Sequence, residues 1–145
     1  MFERTKSSNA IKQLGAVALF SSCSNKELHQ LARLTREEHV SAGTVIVRQG
    51  DLGSECHIIA HGSVCVEVNG ARVTTLAEGE SFGELSLLDH QPRSATVAAL
   101  TDCVLLVLGT KEFATAIATT PSLTIRLLAE LSGRIRAGNN AKVAA

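Results

Sequence analysis

A series of short apolar segments, separated by glycine-containing turns, constrains the fold of this chain more than any other feature. Val64, Val66 and Val68 alternate with other residue types, which predicts a half-buried strand. Asn69-Gly70 then gives the strongest hairpin signal in the chain. The regular spacing predicts an antiparallel, jelly-roll-like β-roll over residues 36–109. The predicted strands are His39–Ser41, Val45–Arg48, Cys56–Ala60, Val64–Val68, Arg72–Leu76, Ala95–Ala99 and Cys103–Leu108.

Helices are predicted before the roll, at residues 10–35. Ala10–Phe20 has apolar residues at three- and four-residue steps, as one face of a helix would. Ser24 and Glu27 form a capping-box sequence, which predicts a second helix over Asn25–Leu34. The fold class is therefore mainly β with flanking helices.

Two more helices are predicted after the roll, at residues 110–138. Thr110 is expected to cap Lys111–Ala118, and Thr120 with Pro121 is expected to begin the last helix, which Gly138 ends. The last helix carries an apolar stripe that suits plain core, a lid over a ligand, or a dimer seam. The stripe consists of Leu123, Leu127, Leu131 and Ile135.

Composition limits the classes of function. The 145 residues suit a single domain, 1–145. The number of Lys and Arg residues equals the number of Asp and Glu residues, so the net charge is zero. Because DNA-binding proteins usually carry an excess of positive charge, DNA binding is not expected. No apolar run is long enough for a membrane helix. Leu14–Phe20, which precedes Cys23, faintly resembles a lipoprotein signal, although a packed helix explains it better. Four cysteines without metal-site spacing favour a reducing, cytoplasmic compartment over a disulfide framework.

The chemistry of the chain is concentrated in Glu80–Val97. Gly83 permits close backbone approach to a ligand, and the first N–H groups of a short helix after it suit a phosphate. Arg93 offers a planar fork of donors that matches two phosphate oxygens, and Ser94 adds an N–H and a hydroxyl. Glu84 lies among these donors, where a sugar hydroxyl would give the carboxylate its own target.

Two blocks of this stretch resemble the phosphate-binding cassette of the cyclic-nucleotide-binding domain family. They are Phe82-Gly83-Glu84-Leu85-Ser86-Leu87-Leu88 and Pro92-Arg93-Ser94-Ala95-Thr96-Val97. That family includes bacterial cyclic-AMP receptor proteins, regulatory subunits of cyclic-AMP-dependent protein kinase and cyclic-nucleotide-gated channels. The resemblance covers roughly Ala18–Leu128. One departure is Cys56-His57, where the family usually has bulky aromatic residues and where smaller groups could loosen packing beneath the cassette.

The resemblance implies a ligand site and assigns its parts. Arg93 would pair with the cyclic phosphate, Glu84 would accept a hydrogen bond from the ribose 2′-hydroxyl, and backbone N–H groups would line the pocket. Ser94, which follows the arginine where cyclic-GMP readers often have threonine, favours cyclic AMP over cyclic GMP. The expected ligand-binding residues are Phe82, Gly83, Glu84, Leu85, Ser86, Arg93, Ser94 and Ala95.

Catalysis and metal binding are the competing interpretations of the site. Glu84 has no partner carboxylate or histidine in its own motif, which argues against a catalytic acid. His57 and His61 are four residues apart, too far along a strand to share one ion easily. We therefore expect neither an enzyme nor a metal site.

The sequence predicts a regulatory or sensor module that binds a cyclic nucleotide and moves its last helix in response. The alternatives are a ligand-free scaffold of the same fold and the detached sensor half of a transcription regulator. An output would need an effector protein in trans or an effector domain elsewhere, and the last helix could also form a homodimer.

Overall fold

The strands of the protein form a roll of paired antiparallel sheets. The structure, a computed structural model, describes residues 11, 12 and 14–141, without the side chains of residues 18, 85, 88 and 134–141. The strands in this part of the chain are β1 Arg36–Val40, β2 Val45–Val47, β3 Glu55–His61, β4 Ser63–Val68, β5 Ala71–Ala77, β6 Ser81–Phe82, β7 Thr96–Ala99 and β8 Cys103–Gly109. They build two four-stranded sheets, in the orders β1-β8-β3-β6 and β2-β7-β4-β5. The predicted antiparallel β-roll is confirmed.

Alternation along β3 and β8 separates two apolar cores. Ile58 and Leu106 face the helices, whereas Ile59 and Leu105 face the interior of the roll, because successive side chains of a strand point to opposite sides. Both faces of these strands are therefore buried. One core fixes the helices onto the roll, and the other holds the two sheets together.

The hairpin between β4 and β5 has the predicted turn. Asn69 and Gly70 both have positive φ, 54° and 83°, as a two-residue type I′ turn requires. The amide of Gln49 binds the turn from outside, since its Nε2 donates to Asn69 Oδ1 at 2.9 Å and its Oε1 accepts from the Asn69 N–H at 2.8 Å. This contact ties the hairpin to the segment that follows β2.

The strand prediction differs most from the structure at β1 and at Cys65, and several other strand ends differ by one residue. β1 begins at Arg36 rather than His39 and ends at Val40, because the polar residues at its start pair with β8 along an edge of the sheet. Val64, Val66 and Val68 alternate with other residues, as in a half-buried strand, but Cys65 between them is buried as well. It lies on an inner strand between Thr75 and Ala98, and these neighbours cover its small side chain.

The helices pack against one side of the roll. Residues 11, 12 and 14–16 are helical, and a 3₁₀ turn follows at Ala18–Phe20; the predicted start at Ala10 lies outside the described residues. The remaining helices are α1 Asn25–Leu34, α2 Glu84–Asp89, α3 Thr110–Thr119 and α4 Pro121–Ala141. Helix α1 has the predicted bounds and the predicted capping box between Ser24 and Glu27.

The two C-terminal helices differ from the prediction in their caps and in where they end, since α3 ends at Thr119 rather than Ala118. Thr110, predicted to be the N-cap of α3, is instead its first helical residue, and Gly109 is the N-cap. The Thr110 hydroxyl does not cap the helix, because it donates to the Ser54 carbonyl at 3.1 Å.

The last helix, α4, begins at Pro121 as predicted, and the Thr120 carbonyl accepts its first bonds. The Thr120 hydroxyl, expected to cap α4, has no hydrogen-bond partner among the described residues. Gly138 does not end α4, which continues to Ala141.

Helix α4 contributes the start of its apolar stripe to the core. Leu123 and Leu127 are buried, and Leu131 packs beside them at partial burial. Ile135 has no described side chain. Within the described residues, no helix is long and apolar enough to cross a membrane.

Candidate functional site

Gly83 forms the turn at the centre of the predicted phosphate-binding stretch. It connects β6 to α2 in the left-handed conformation, with φ of 92°, which favours glycine. A Cβ at this position would overlap Arg93 Nη1 and would lie 2.9 Å from the Glu55 carbonyl oxygen. The turn therefore needs glycine both for its backbone angle and for the close approach of Arg93.

Both the backbone and the side chain of Arg93 are hydrogen-bonded to neighbouring segments of the protein. Its N–H donates to the Asp51 carbonyl at 2.8 Å, and its carbonyl accepts from the Gly50 N–H at 2.9 Å. The buried guanidinium donates from Nη1 to the Gly83 carbonyl at 3.2 Å and from Nη2 to the Glu55 carbonyl at 2.7 Å. The arginine predicted to bind phosphate thus lies against the glycine turn predicted to bind phosphate.

Gly53 belongs to the same arrangement, although the sequence patterns gave it no role in the site. A Cβ at Gly53 would lie 2.6 Å from both Cζ and Nε of Arg93, and 2.9 Å from Ser86 Cβ. The guanidinium therefore lies directly over the Gly53 backbone. The signal in the sequence is the second glycine of Gln49-Gly50-Asp51-Leu52-Gly53, a segment whose two glycines indicate a turn.

Burial controls the electrostatics of Arg93. Desolvation lowers the pKa of its guanidinium below the ordinary value, and the nearby acidic side chains of Cys56, Glu55 and Glu84 act in the opposite direction. An arginine nevertheless stays charged at neutral pH. The site therefore contains a buried cation at the base of a cleft, an arrangement that attracts an anionic ligand.

The other predicted site residues divide into buried and exposed groups. Glu84 is only 1% exposed, Ser86 is 7% exposed, and both lie on α2 directly after the glycine turn. Phe82 and Ala95 are buried in the apolar interior of the roll, so they pack beneath the site as part of the core. Ser94 is exposed beside Arg93, and Leu85 follows Glu84 on α2.

His57 is a further residue of the site that sequence reasoning did not assign. Its ring stacks on Phe82, with centroids 4.9 Å apart and an interplanar angle of 7°. The side chain is 3% exposed, and burial, followed by the charge of Arg93, lowers its pKa to about 4. This stacked pair of rings fills the space beneath the cassette, where the sequence suggested looser packing.

A cleft of about 260 Å³ opens beside Arg93. This volume is near the lower end of small-molecule pockets, roughly 300–1,000 Å³. The cleft is lined by Val45, Ile46, Val47, Arg48, Asp51, Leu52, Ser54, Glu55, His57 and Arg93. A second cleft of about 240 Å³, near His39 and His61, has no arginine or lysine in its lining. Within the described residues, no group of three or more His, Cys, Asp or Glu could hold a metal ion.

Comparison with known proteins gives consistent matches. A sequence profile described as "Cyclic nucleotide-binding domain" matches residues 37–120. The Rap guanine nucleotide exchange factor 3 of Homo sapiens is 41% identical over 114 residues, which make up 77% of this chain and 12% of the exchange factor. The chain therefore corresponds to a small part of that relative.

Of two solved structures with the same fold, one contains bound cAMP and the other belongs to a kinase described as cAMP-independent. The regulatory domain of Toxoplasma gondii PKA, crystallised with cAMP, has a TM-score of 0.79 and 27% identity, over 90% of this chain and 51% of that chain. The regulatory subunit of a cAMP-independent protein kinase A from Trypanosoma brucei has a TM-score of 0.79 and 27% identity, over 90% and 47% of the respective chains. Proteins with this fold therefore include one crystallised with cAMP and one from a kinase named cAMP-independent.

Proposed function

Because the chain belongs to the cyclic nucleotide-binding domain family, we propose that it binds cyclic AMP in the cleft beside Arg93 and acts as a regulatory module rather than an enzyme. The proposal depends chiefly on one observation. The buried guanidinium of Arg93 lies against the left-handed turn at Gly83, with a cleft open beside it. Of the predicted ligand-binding residues, Arg93 lines the cleft itself. A buried cation at a cleft, next to a glycine turn that begins a helix, suits a small cyclic phosphodiester.

Each remaining residue of the cassette has a proposed contact. The guanidinium has more N–H donors than its bonds to the Gly83 and Glu55 carbonyls use, so donors remain for phosphate oxygens. Glu84 accepts from the ribose 2′-hydroxyl, and the N–H groups of residues 83, 85 and 86 line the phosphate. Ser94 adds its N–H and hydroxyl, and with serine at this position cyclic AMP is the favoured nucleotide over cyclic GMP.

The proposed response to binding is movement of helix α4. Leu87 of the cassette helix α2 belongs to the same apolar core as Leu123 and Leu127 of α4. A ligand that draws α2 toward the phosphate therefore changes the surface on which α4 packs. Such coupling requires the nucleotide to bind one position of α4 more tightly than the other.

Calorimetric titration with cyclic AMP tests the binding. We expect saturable binding by the wild type and roughly 10- to 150-fold weaker binding by Arg93→Leu, because a charge-assisted contact contributes about 1.5–3 kcal/mol. Arg72→Leu is the matched control, since Arg72 is exposed on β5 and does not line the cleft. Equal affinities of all three proteins would refute the site, and circular dichroism of the variants would verify their folding.

A ligand-free scaffold is the second candidate function. Arg93 already has two carbonyl acceptors within the protein, which supports a cassette that can close without a nucleotide. The match to the regulatory subunit of a kinase named cAMP-independent also supports a scaffold that does not need cAMP. Absence of heat in the cyclic AMP titration, together with absence of amide chemical-shift changes, would favour the scaffold.

The proposed module acts in the cytoplasm on an effector, supplied by a partner chain or by another domain. Ile125 and Leu128 of α4 are 70% and 61% exposed, which supports a homodimer through this helix. Zero net charge gives no electrostatic drive toward DNA. A mobility-shift assay at stated salt, and sedimentation of the protein with and without cyclic AMP, test these two expectations.

A further inference from the structure

Glu55 brings a negative charge to the cleft that is proposed to bind a phosphate. It is part of the cleft lining, and its backbone carbonyl accepts a hydrogen bond from Nη2 of Arg93 at 2.7 Å. Among the described lining residues, Arg48 and Arg93 are basic, whereas Asp51 and Glu55 are acidic. A carboxylate this close to the guanidinium of Arg93 would compete with an anionic ligand unless another cation held it.

Arg36 is the cation that pairs with this carboxylate. Its Nη2 contacts Oε2 of Glu55 and also lies 3.3 Å from Oε2 of Glu38. The pair reaches across β8, because Arg36 is opposite Val107 and Glu55 is opposite Gly109, two residues further along the same face of that strand. Arg36 itself lies outside the cleft lining. The ion pair therefore holds the side chain of Glu55 from beyond the cleft.

Resting on the function proposed above, we propose that Arg36 is a positioning residue for nucleotide binding: by holding the Glu55 carboxylate, it keeps the guanidinium of Arg93 available to the phosphate. Without Arg36, the carboxylate would turn toward Arg93, which the backbone of Glu55 already contacts. Burial lowers the pKa of Arg93, and the charge of Glu55 is among those that oppose this effect, so it already acts on the guanidinium. Cyclic AMP would then have to displace an internal carboxylate before it could bind.

Loss of Arg36 should change binding more than folding. The side chains of Arg36 and Glu55 are 53% and 31% exposed, and exposed ion pairs stabilise proteins only weakly. We therefore expect Arg36→Leu to fold and to bind cyclic AMP roughly three- to tenfold more weakly than the wild type. The effect lies at the upper end for an exposed pair because the competing contact joins Glu55 to a buried guanidinium.

The test is a double-mutant cycle of Arg36→Leu and Glu55→Gln, measured by calorimetric titration with cyclic AMP. Glutamine keeps the backbone carbonyl that binds Arg93 and removes the charge, so Arg36→Leu should have no effect on affinity in the Glu55→Gln background. Arg33→Leu is the matched control, because it removes the same charge from an exposed position on α1, outside the cleft. Its affinity should equal that of the wild type.

A second measurement reports the internal pair without any ligand. The ¹H–¹⁵N signal of Arg93 Nε–H should shift in Arg36→Leu, because the Glu55 carboxylate approaches the guanidinium. The shift should disappear when Glu55→Gln is added. A purely structural role of Arg36 would not depend in this way on the charge of Glu55.

The outcomes separate this inference from the proposed function. Binding of cyclic AMP with equal affinity by the wild type and Arg36→Leu overturns the inference and leaves the proposed function intact. A loss of affinity that persists in the Glu55→Gln background, or that Arg33→Leu shares, does the same. No binding by the wild type overturns both. If Arg36→Leu fails to fold, Arg36→Gln takes its place in the cycle.

Discussion

Substitution of Gly53 by alanine tests whether the backbone of this residue positions Arg93. The added Cβ would lie 2.6 Å from Cζ and Nε of Arg93, about 0.8 Å short of the 3.4 Å at which ordinary van der Waals contact begins. Gly53 does not have a positive φ, so the substitution adds a steric contact without backbone strain. The guanidinium must therefore move away from the Gly83 and Glu55 carbonyls.

The expected cost follows from the bonds that this movement disturbs. The bond from Nη1 to the Gly83 carbonyl is already 3.2 Å long, and a hydrogen bond of a charged group contributes about 1.5–3 kcal/mol. Alanine recovers about 0.4–1 kcal/mol by restricting the unfolded chain. We expect Gly53→Ala to lower the free energy of unfolding by about 1–2 kcal/mol and to weaken cyclic AMP binding by roughly tenfold.

A double-mutant cycle with Arg93→Ala isolates the cause. Without the guanidinium, the Cβ of Gly53→Ala loses its two closest contacts and keeps the one to Ser86 Cβ at 2.9 Å, so its cost should fall by about 1 kcal/mol or more. Urea unfolding measures stability and calorimetry measures binding. Gly133→Ala is the control, because a Cβ there meets open space. Equal costs of Gly53→Ala with and without the Arg93 side chain would refute the steric argument.

Three further predictions concern turns, caps and pH. Gly83→Ala, which places a Cβ at φ of 92° and against Arg93, should abolish cyclic AMP binding in calorimetry and lower the melting temperature. Ser24→Ala should cost about 1 kcal/mol in urea unfolding, because it removes the capping box of α1. The folded-state pKa of His57, about 4, lies below its unfolded value, so stability should fall by about 3 kcal/mol as the pH drops from 6.5 to 4. Urea titrations should show that His57→Phe removes this dependence.

Features set by neighbouring residues could be predicted from the sequence. The Asn69-Gly70 turn and the Ser24–Glu27 capping box require only local geometry, and both occur where expected. The approach of Arg93 to Gly83 was also expected, because two blocks at fixed spacing marked the cassette. The ligand roles of these residues remain predictions.

Features set by distant contacts could not be predicted in this way. Thr110 hydrogen-bonds the Ser54 carbonyl instead of capping its helix, and the two residues are 56 positions apart. Gly53 matters because Arg93 folds back over it, and His57 matters because β6 places Phe82 on its ring. Each of these depends on tertiary packing that no local pattern contains.

The central claim is that Arg93 and the turn at Gly83 bind the phosphate of a cyclic nucleotide. The most direct measurement is an amide and guanidinium ¹H–¹⁵N NMR titration of the wild-type protein with cyclic AMP. The account predicts saturable shifts, largest at the N–H groups of Gly83, Leu85 and Ser86 and at Arg93 Nε–H. An unchanged spectrum, or shifts confined to the second cleft near His39 and His61, would contradict it.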